Sequence, residues 1–224
     1  MKEYRFRSII ALVILCVLAA ATYSRNRVWR DEASLWLNMI QQSPNKSRGY
    51  DGLGNVLFVA GQYERAIAFY SRAVALDSTN PEYYTNRGFA FCETGRIDEA
   101  LADLNRAITL DPFFFKAYNN KGMVYGRIGE FQKAVEQFTK AIDIEPGLPL
   151  PYTNRGLAYS RMGEYGRALA DLNKAIELDE RSISAYGERG NVYLRMGRPD
   201  LAAADYRTVC SLGDQKACEA LKLH

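Results

Sequence analysis

The sequence has one histidine, and it is the last residue, His224. With the lone imidazole on the terminal residue, Ser–His or Cys–His nucleophilic catalysis and His-ligated zinc are close to excluded. Cysteine is scarce as well. Cys16, Cys92, Cys210 and Cys218 are the four, and no two stand in the CxxC spacing of a zinc ribbon. An excess of one charge is also missing: 29 Lys and Arg against 26 Asp and Glu leave +3. No basic cluster is interleaved with aromatics, which argues against a nucleic-acid partner. No catalytic residue, metal or cofactor is therefore expected.

Long uncharged runs are missing too, with one exception. Ser8 to Tyr23 (SIIALVILCVLAAATY) carries no charge, with Lys2, Arg5 and Arg7 before it and Arg25, Arg27 and Arg30 after. Sixteen helical residues rise about 24 Å, short of the roughly 20 residues a bilayer core needs. Phe6 and a snorkelling Arg7 could extend the span. The expectation is a retained transmembrane helix. The alternative is a signal peptide cleaved after the A-x-A site Ala19-Ala20-Ala21, releasing a secreted protein. Lys and Arg balance on the two sides, so charge does not set the orientation.

What fills the rest is a repeat. Five copies of one 34-residue pattern run from Ser47 to Lys216. Tyr50, Tyr84, Tyr118, Tyr152 and Tyr186 hold the fourth place, and Gly54, Gly88, Gly122, Gly156 and Gly190 the eighth. Gly61, Gly95, Gly129, Gly163 and Gly197 hold the fifteenth, and Ala66, Ala100, Ala134, Ala168 and Ala202 the twentieth. A helix–turn–helix of this length cannot bury its apolar face alone and must stack. The small residues let two helices approach closely, and the fifteenth-place Gly suits a left-handed C-cap. Pro112 and Pro146 end the second helix of two repeats. Before the first repeat, Trp29, Ala33, Trp36, Leu37 and Ile40 fall on one helical stripe, with Asp31 as N-cap and Ser43-Pro44 as the stop.

Each repeat resembles the tetratricopeptide repeat over its whole length. The eleventh place (Leu57, Phe91, Tyr125, Tyr159, Tyr193) and the twenty-fourth (Tyr70, Leu104, Phe138, Leu172, Tyr206) are bulky. The twenty-seventh is Ala73, Ala107, Ala141 and Ala175, with Val209 departing. Packing accounts for all of these columns. The resemblance implies an all-α fold: a right-handed α-solenoid of five helix-turn-helix repeats, with an N-terminal half-repeat and a C-terminal cap, preceded by one transmembrane helix. The expected organisation is a basic flank at 1–7, the membrane helix or signal peptide at 8–24, and a linker with a degenerate half-repeat helix at 25–46. Repeats follow at 47–80, 81–114, 115–148, 149–182 and 183–216, then a capping helix at 217–224.

The seventh and twenty-third places vary together. Arg87 goes with Asp103, Arg155 with Asp171 and Arg189 with Asp205, while Lys121 goes with Gln137 and Leu53 with Phe69. Bidentate Arg–Asp pairs between the two helices of a repeat follow, as structural ion pairs.

The resemblance also implies that first helices line a groove. Asn86, Asn120 and Asn154 share the sixth place and would form an amide ladder that reads an extended backbone. This is similar to the asparagine ladder of glycosyltransferases that thread peptides through such arrays. Changing the three to Ala is expected to abolish binding without lowering stability. Asn55 and Asn191 lie one turn further along in the outer repeats. Arg127, Arg161 and Arg195 at the thirteenth place, with Lys116, would make one wall basic; a solvated charged face is the other reading. The fifth place (Asp51, Thr85, Asn119, Thr153, Gly187) lacks the basic residue of the carboxylate-clamp cochaperones. Phe113-Phe114-Phe115 and Leu148-Pro149-Leu150-Pro151 cannot all turn inward, which leaves an apolar patch for a partner or a membrane surface.

Cys210 and Cys218 lie eight apart across the turn at Gly213-Asp214, within disulfide reach on adjacent antiparallel helices. The spacing also resembles that of secreted cysteine-rich helical repeats, while two buried free thiols remain the alternative. A disulfide would place the array in an oxidising compartment, periplasmic or otherwise non-cytoplasmic. Finally, YSRNRVWRDEASLW…SPNK resembles the junction between the last membrane helix and the repeats in O-mannosyltransferase-type membrane proteins. Their catalytic carboxylates sit in earlier loops with no counterpart here. The expected function is a non-catalytic, membrane-anchored scaffold that binds a protein or peptide ligand in its groove. The alternative is the acceptor-binding C-terminal region, or a stand-alone relative, of such a glycosyltransferase.

Overall fold

The structure, a computed structural model, describes residues 32–214 and residue 218. The expected membrane segment at 8–24, its basic flank, Trp29, Asp31, Cys16 and the capping helix at 217–224 (save Cys218) lie outside the described residues. Among the described residues no helix is long and apolar enough to cross a membrane. They form eleven helices and no strand, in two compact units that divide between Thr79 and Asn80.

The first unit contains α1 (Glu32–Gln42), α2 (Ser47–Val59) and α3 (Tyr63–Leu76). α1 packs on α2. Trp36 lies against Gly52, which has no side chain to hold it off, and Ile40 lies against Gly49. Leu37 departs from the expected stripe. It is 46% exposed, because one helical step from Trp36 turns it away from α2.

The second unit is four helix pairs: α4 (Pro81–Glu93) with α5 (Ile97–Leu110), α6 (Phe115–Arg127) with α7 (Phe131–Ile144), α8 (Pro149–Arg161) with α9 (Tyr165–Leu178), and α10 (Ile183–Arg195) with α11 (Pro199–Ser211). Helix starts follow local chemistry. Asn80 accepts from the Glu82 N–H at 2.9 Å ahead of Pro81, and Ser182 accepts from the Ala185 N–H. Each pair turns on a glycine with positive φ, +80° at Gly129 and +79° at Gly163. A Cβ there would meet nothing within 4 Å. The requirement is therefore backbone conformation alone. Between repeats Asp111 and Asp179 each close a turn by accepting the N–H two residues on.

The core between paired helices is built from the small columns. Ala66, Ala100, Ala134, Ala168 and Ala202 are fully buried, as are Ala73, Ala107, Ala141 and Ala175. The eighth-place glycines admit the twenty-fourth-place side chain of the partner helix. A Cβ on Gly122 would stand 2.6 Å from Phe138 Cε1, and one on Gly54 2.5 Å from Tyr70 Cε1.

Candidate functional site

In the second unit, first helices touch one another: α4 touches α6, α6 touches α8, and α8 touches α10. Among its described residues no second helix touches another second helix. The first helices therefore make the inner wall of this unit. Between α4, α6 and α8 the wall opens into a pocket of about 310 Å³. Phe89, Met123 and Leu157 line it from the first helices, and Phe131 and Phe138 from α7. Asn154 reaches its edge, and its charged lining is Glu93, Arg127 and Arg161.

The apolar lining was not singled out in the sequence, although a signal existed. Phe89, Met123 and Leu157 hold the ninth place, where the first and last repeats carry Asn55 and Asn191. Both asparagines are hydrogen-bonded within their own repeats. Asn55 Oδ1 accepts from the Tyr70 hydroxyl at 2.8 Å, and Asn191 Oδ1 from the Tyr206 hydroxyl at 2.7 Å. Asn stands at the ninth place only where Tyr stands at the twenty-fourth. Burial and the Asp51 charge push the Tyr70 hydroxyl above its usual titration range. Tyr70→Phe and Tyr206→Phe are each expected to cost about 1 kcal/mol in urea melts, the net worth of one hydrogen bond.

Asn86, Asn120 and Asn154 are half-buried on α4, α6 and α8. Asn154 Nδ2 donates to Asn119 Oδ1 at 3.0 Å, and Asn119 is 5% exposed. Asn154→Ala therefore leaves a buried acceptor unmatched, and the expectation of unchanged stability in the triple variant is corrected. Two of the four residues of the expected basic wall are engaged in ion pairs. Lys116 Nζ pairs with Glu82 at 2.7 Å and Arg127 Nη1 with Glu93 at 2.8 Å, each one repeat back in its own column. Arg161 and Arg195 are exposed, and neither is engaged in an ion pair among the described residues.

The seventh-place arginines lie outside the pocket. Arg155 Nε and Nη2 meet Asp171 at 2.7 and 2.8 Å. Arg87 holds Asp103 and Arg189 holds Asp205 in the same fork. The guanidiniums of Arg87, Arg155 and Arg189 stand over the Tyr84, Tyr152 and Tyr186 rings. The hydrogen bond to Asp171 raises the Arg155 pKa above its ordinary value, against burial. A further bond was not anticipated: Arg155 Nη1 donates to Thr139 Oγ1 of the preceding repeat, and Arg189 Nη1 to Asn173 Oδ1. Lys121 makes the same backward reach, its Nζ donating to Asn105 Oδ1 at 2.7 Å. The polar twenty-fifth column (Asn105, Thr139, Asn173) was the available signal.

Cys210 and Cys218 form a disulfide with Cα atoms 4.8 Å apart. Cys92 is a buried free thiol in the pocket lining. Burial pushes its pKa up, against the opposing Arg127 charge. Under native conditions Cys92 should resist iodoacetamide for hours and react at once in urea, as read by peptide mass mapping. Phe113 and Leu150 are exposed, at 77% and 53%. Phe114 and Phe115 are half-buried and Pro151 is buried. Among the described residues no His, Cys, Asp and Glu cluster could hold a metal.

Tetratricopeptide-repeat sequence models match residues 54–95 and 88–129, 115–148 and 149–182, and 183–212. The chain belongs to the tetratricopeptide repeat family. Over 87 residues it is 26% identical to protein O-mannosyl-transferase Tmtc3 of Drosophila melanogaster, a match covering 39% of this chain and 9% of that protein. The chain thus corresponds to a small part of that relative's length. Among solved structures it is similar to a thermophilic TPR protein of Thermus thermophilus, with TM-score 0.72 and 22% identity over 79% of this chain and 97% of the other. It is also similar to YrrB, a TPR protein with an unusual peptide-binding site, with TM-score 0.56 and 19% identity over 86% of this chain and 100% of that one. At these identities the two structures establish the fold.

Proposed function

We propose that this TPR protein is a non-catalytic, membrane-anchored scaffold that holds an extended protein or peptide segment on the inner wall of its second unit. The observation that carries this is the pocket between α4, α6 and α8, where three successive ninth-place residues turn apolar beside the half-buried Asn154. An apolar pocket edged by a few polar groups is what ligand sites use. The amides of Asn86, Asn120 and Asn154 would serve the peptide backbone. YrrB supports the reading as a protein of the same fold that carries a peptide site. The anchor rests on the uncharged run Ser8 to Tyr23. A non-cytoplasmic array rests on the Cys210–Cys218 bond, which persists in oxidising compartments.

The test is an array of random nine-residue peptides probed with the full chain and with Met123→Glu/Leu157→Glu. Both positions are half-buried, so the fold should tolerate the change. Wild type should retain a subset of peptides, and the variant, with unchanged circular dichroism, should lose at least tenfold in binding. Equal retention by a folded variant removes the groove from the mechanism.

The match to Tmtc3 favours a second reading, an acceptor-holding part or relative of an O-mannosyltransferase-like membrane protein. Cross-linking of the full chain in native membranes to a multi-span glycosyltransferase, or to its acceptor, would separate this from an independent scaffold.

A further inference from the structure

The pocket has three charged lining residues, Glu93, Arg127 and Arg161. The first two neutralise each other across 2.8 Å. Arg161 is left: exposed, at the mouth of an otherwise apolar pocket, and without an ion-pair partner among the described residues. Its column neighbours 34 residues away on either side are Arg127 and Arg195, so no carboxylate from the same column can reach it as Glu93 reaches Arg127.

We infer that this pocket reads one apolar side chain together with a carboxylate beside it, and that Arg161 receives the carboxylate. The inference rests on the peptide-groove reading above. At about 310 Å³ the pocket is at the small end of ligand sites, enough for a single large side chain and too little for the several anchors of an amphipathic helix. An extended chain advances about 3.3–3.6 Å per residue and alternates its side chains. Once one side chain enters the pocket, the groups within reach of Arg161 belong to that residue or its immediate neighbour. A C-terminal Leu, Met or Phe meets both demands with one residue, because its own α-carboxylate sits beside the inserted side chain. An internal apolar residue followed by Asp or Glu carries the same chemistry. The planar guanidinium can take either carboxylate through two parallel N–H donors.

The full chain is tested against nine-residue peptides in three formats. The first ends in a free Leu, Met or Phe. The second is the same set amidated. The third is amidated with an internal Phe-Glu step. Free acids should bind about tenfold or more tightly than their amides, the scale of a hydrogen bond to a charged group. Comparison of the first and third formats distinguishes a terminal carboxylate from a side-chain one. Arg161→Gln should equalise acid and amide, Arg161→Glu should favour the amide, and Arg195→Gln, outside the pocket, should leave the preference intact. Equal binding of acid and amide by wild type overturns the inference while leaving the groove reading standing. A preference that survives Arg161→Gln also overturns it. Failure of every format to bind removes both.

Discussion

Arg155→Ala should destabilise the second unit by about 3–5 kcal/mol. The side chains of Arg155 and Asp171 are 17% and 10% exposed, and both Asp171 oxygens are occupied by the guanidinium. Truncating Arg155 strands a carboxylate that water can scarcely reach. It also removes the bond to Thr139 on α7 and the cation over Tyr152, so the contact between successive repeats loosens along with the pair. Asp171→Leu with Arg155→Met should restore most of the loss. A buried ion pair can often be replaced by apolar groups of similar volume at little net cost, whereas half a pair cannot be kept. Lys116→Ala is the contrast. That residue and Glu82 are 49% and 42% exposed, and water screens the pair, so a change within about 0.5 kcal/mol is expected. Urea melts of wild type and these variants decide the matter. A loss below about 1 kcal/mol for Arg155→Ala would show that water replaces the guanidinium freely.

The helical repeat and its Arg–Asp pairs were legible in the sequence because each is dictated within one repeat. A residue at the eighth place and one at the twenty-fourth meet in every copy, so the copies act as repeated trials of the same contact. Gly122 beneath Phe138 and Gly54 beneath Tyr70 are two outcomes of that one constraint. Contacts between copies were harder to see. Glu82 with Lys116 and Glu93 with Arg127 stand in the same column one repeat apart, and the expected basic wall took the cations of those columns without the carboxylates one repeat back. Neighbouring helices pack roughly 8–10 Å apart, close enough for long charged side chains to meet. Opposite signs in successive copies are therefore a contact signal. The pocket was missed for a related reason. At the ninth place only Asn55 and Asn191 were expected in the groove, and each amide is used by a tyrosine of its own repeat. Where the twenty-fourth place is Leu or Phe there is no hydroxyl to satisfy, and the ninth place is free to be Phe89, Met123 or Leu157. The groove is thus set by what the second helix does not require of the first.

That dependence makes Phe138 the position where stability and binding should change together. Its side chain is 3% exposed, its ring lies against Gly122, and it lines the pocket. Phe138→Ala should cost about 3–5 kcal/mol through lost burial and the cavity left behind. Phe138→Leu should cost less, because Leu104 and Leu172 fill the same place over Gly88 and Gly156 in the flanking repeats. Gly122→Ala attacks the same contact from the other side. Its new Cβ would stand 2.6–2.9 Å from three ring atoms, and overpacking of that kind costs about 1–3 kcal/mol, set against about 1 kcal/mol gained from helix propensity. In a stack each repeat is held by its neighbours, so damage in the third repeat should split one urea transition into two as coupling across α6 and α7 weakens. Binding should respond with opposite signs. Phe138→Ala extends the pocket into the core and should shift its preference toward larger apolar side chains, while Gly122→Ala pushes the ring outward and should shift it toward smaller ones. Variants that unfold in two steps with unchanged side-chain preference would separate the pocket from the core. A preference that follows the ring in both directions would show that one aromatic side chain governs both.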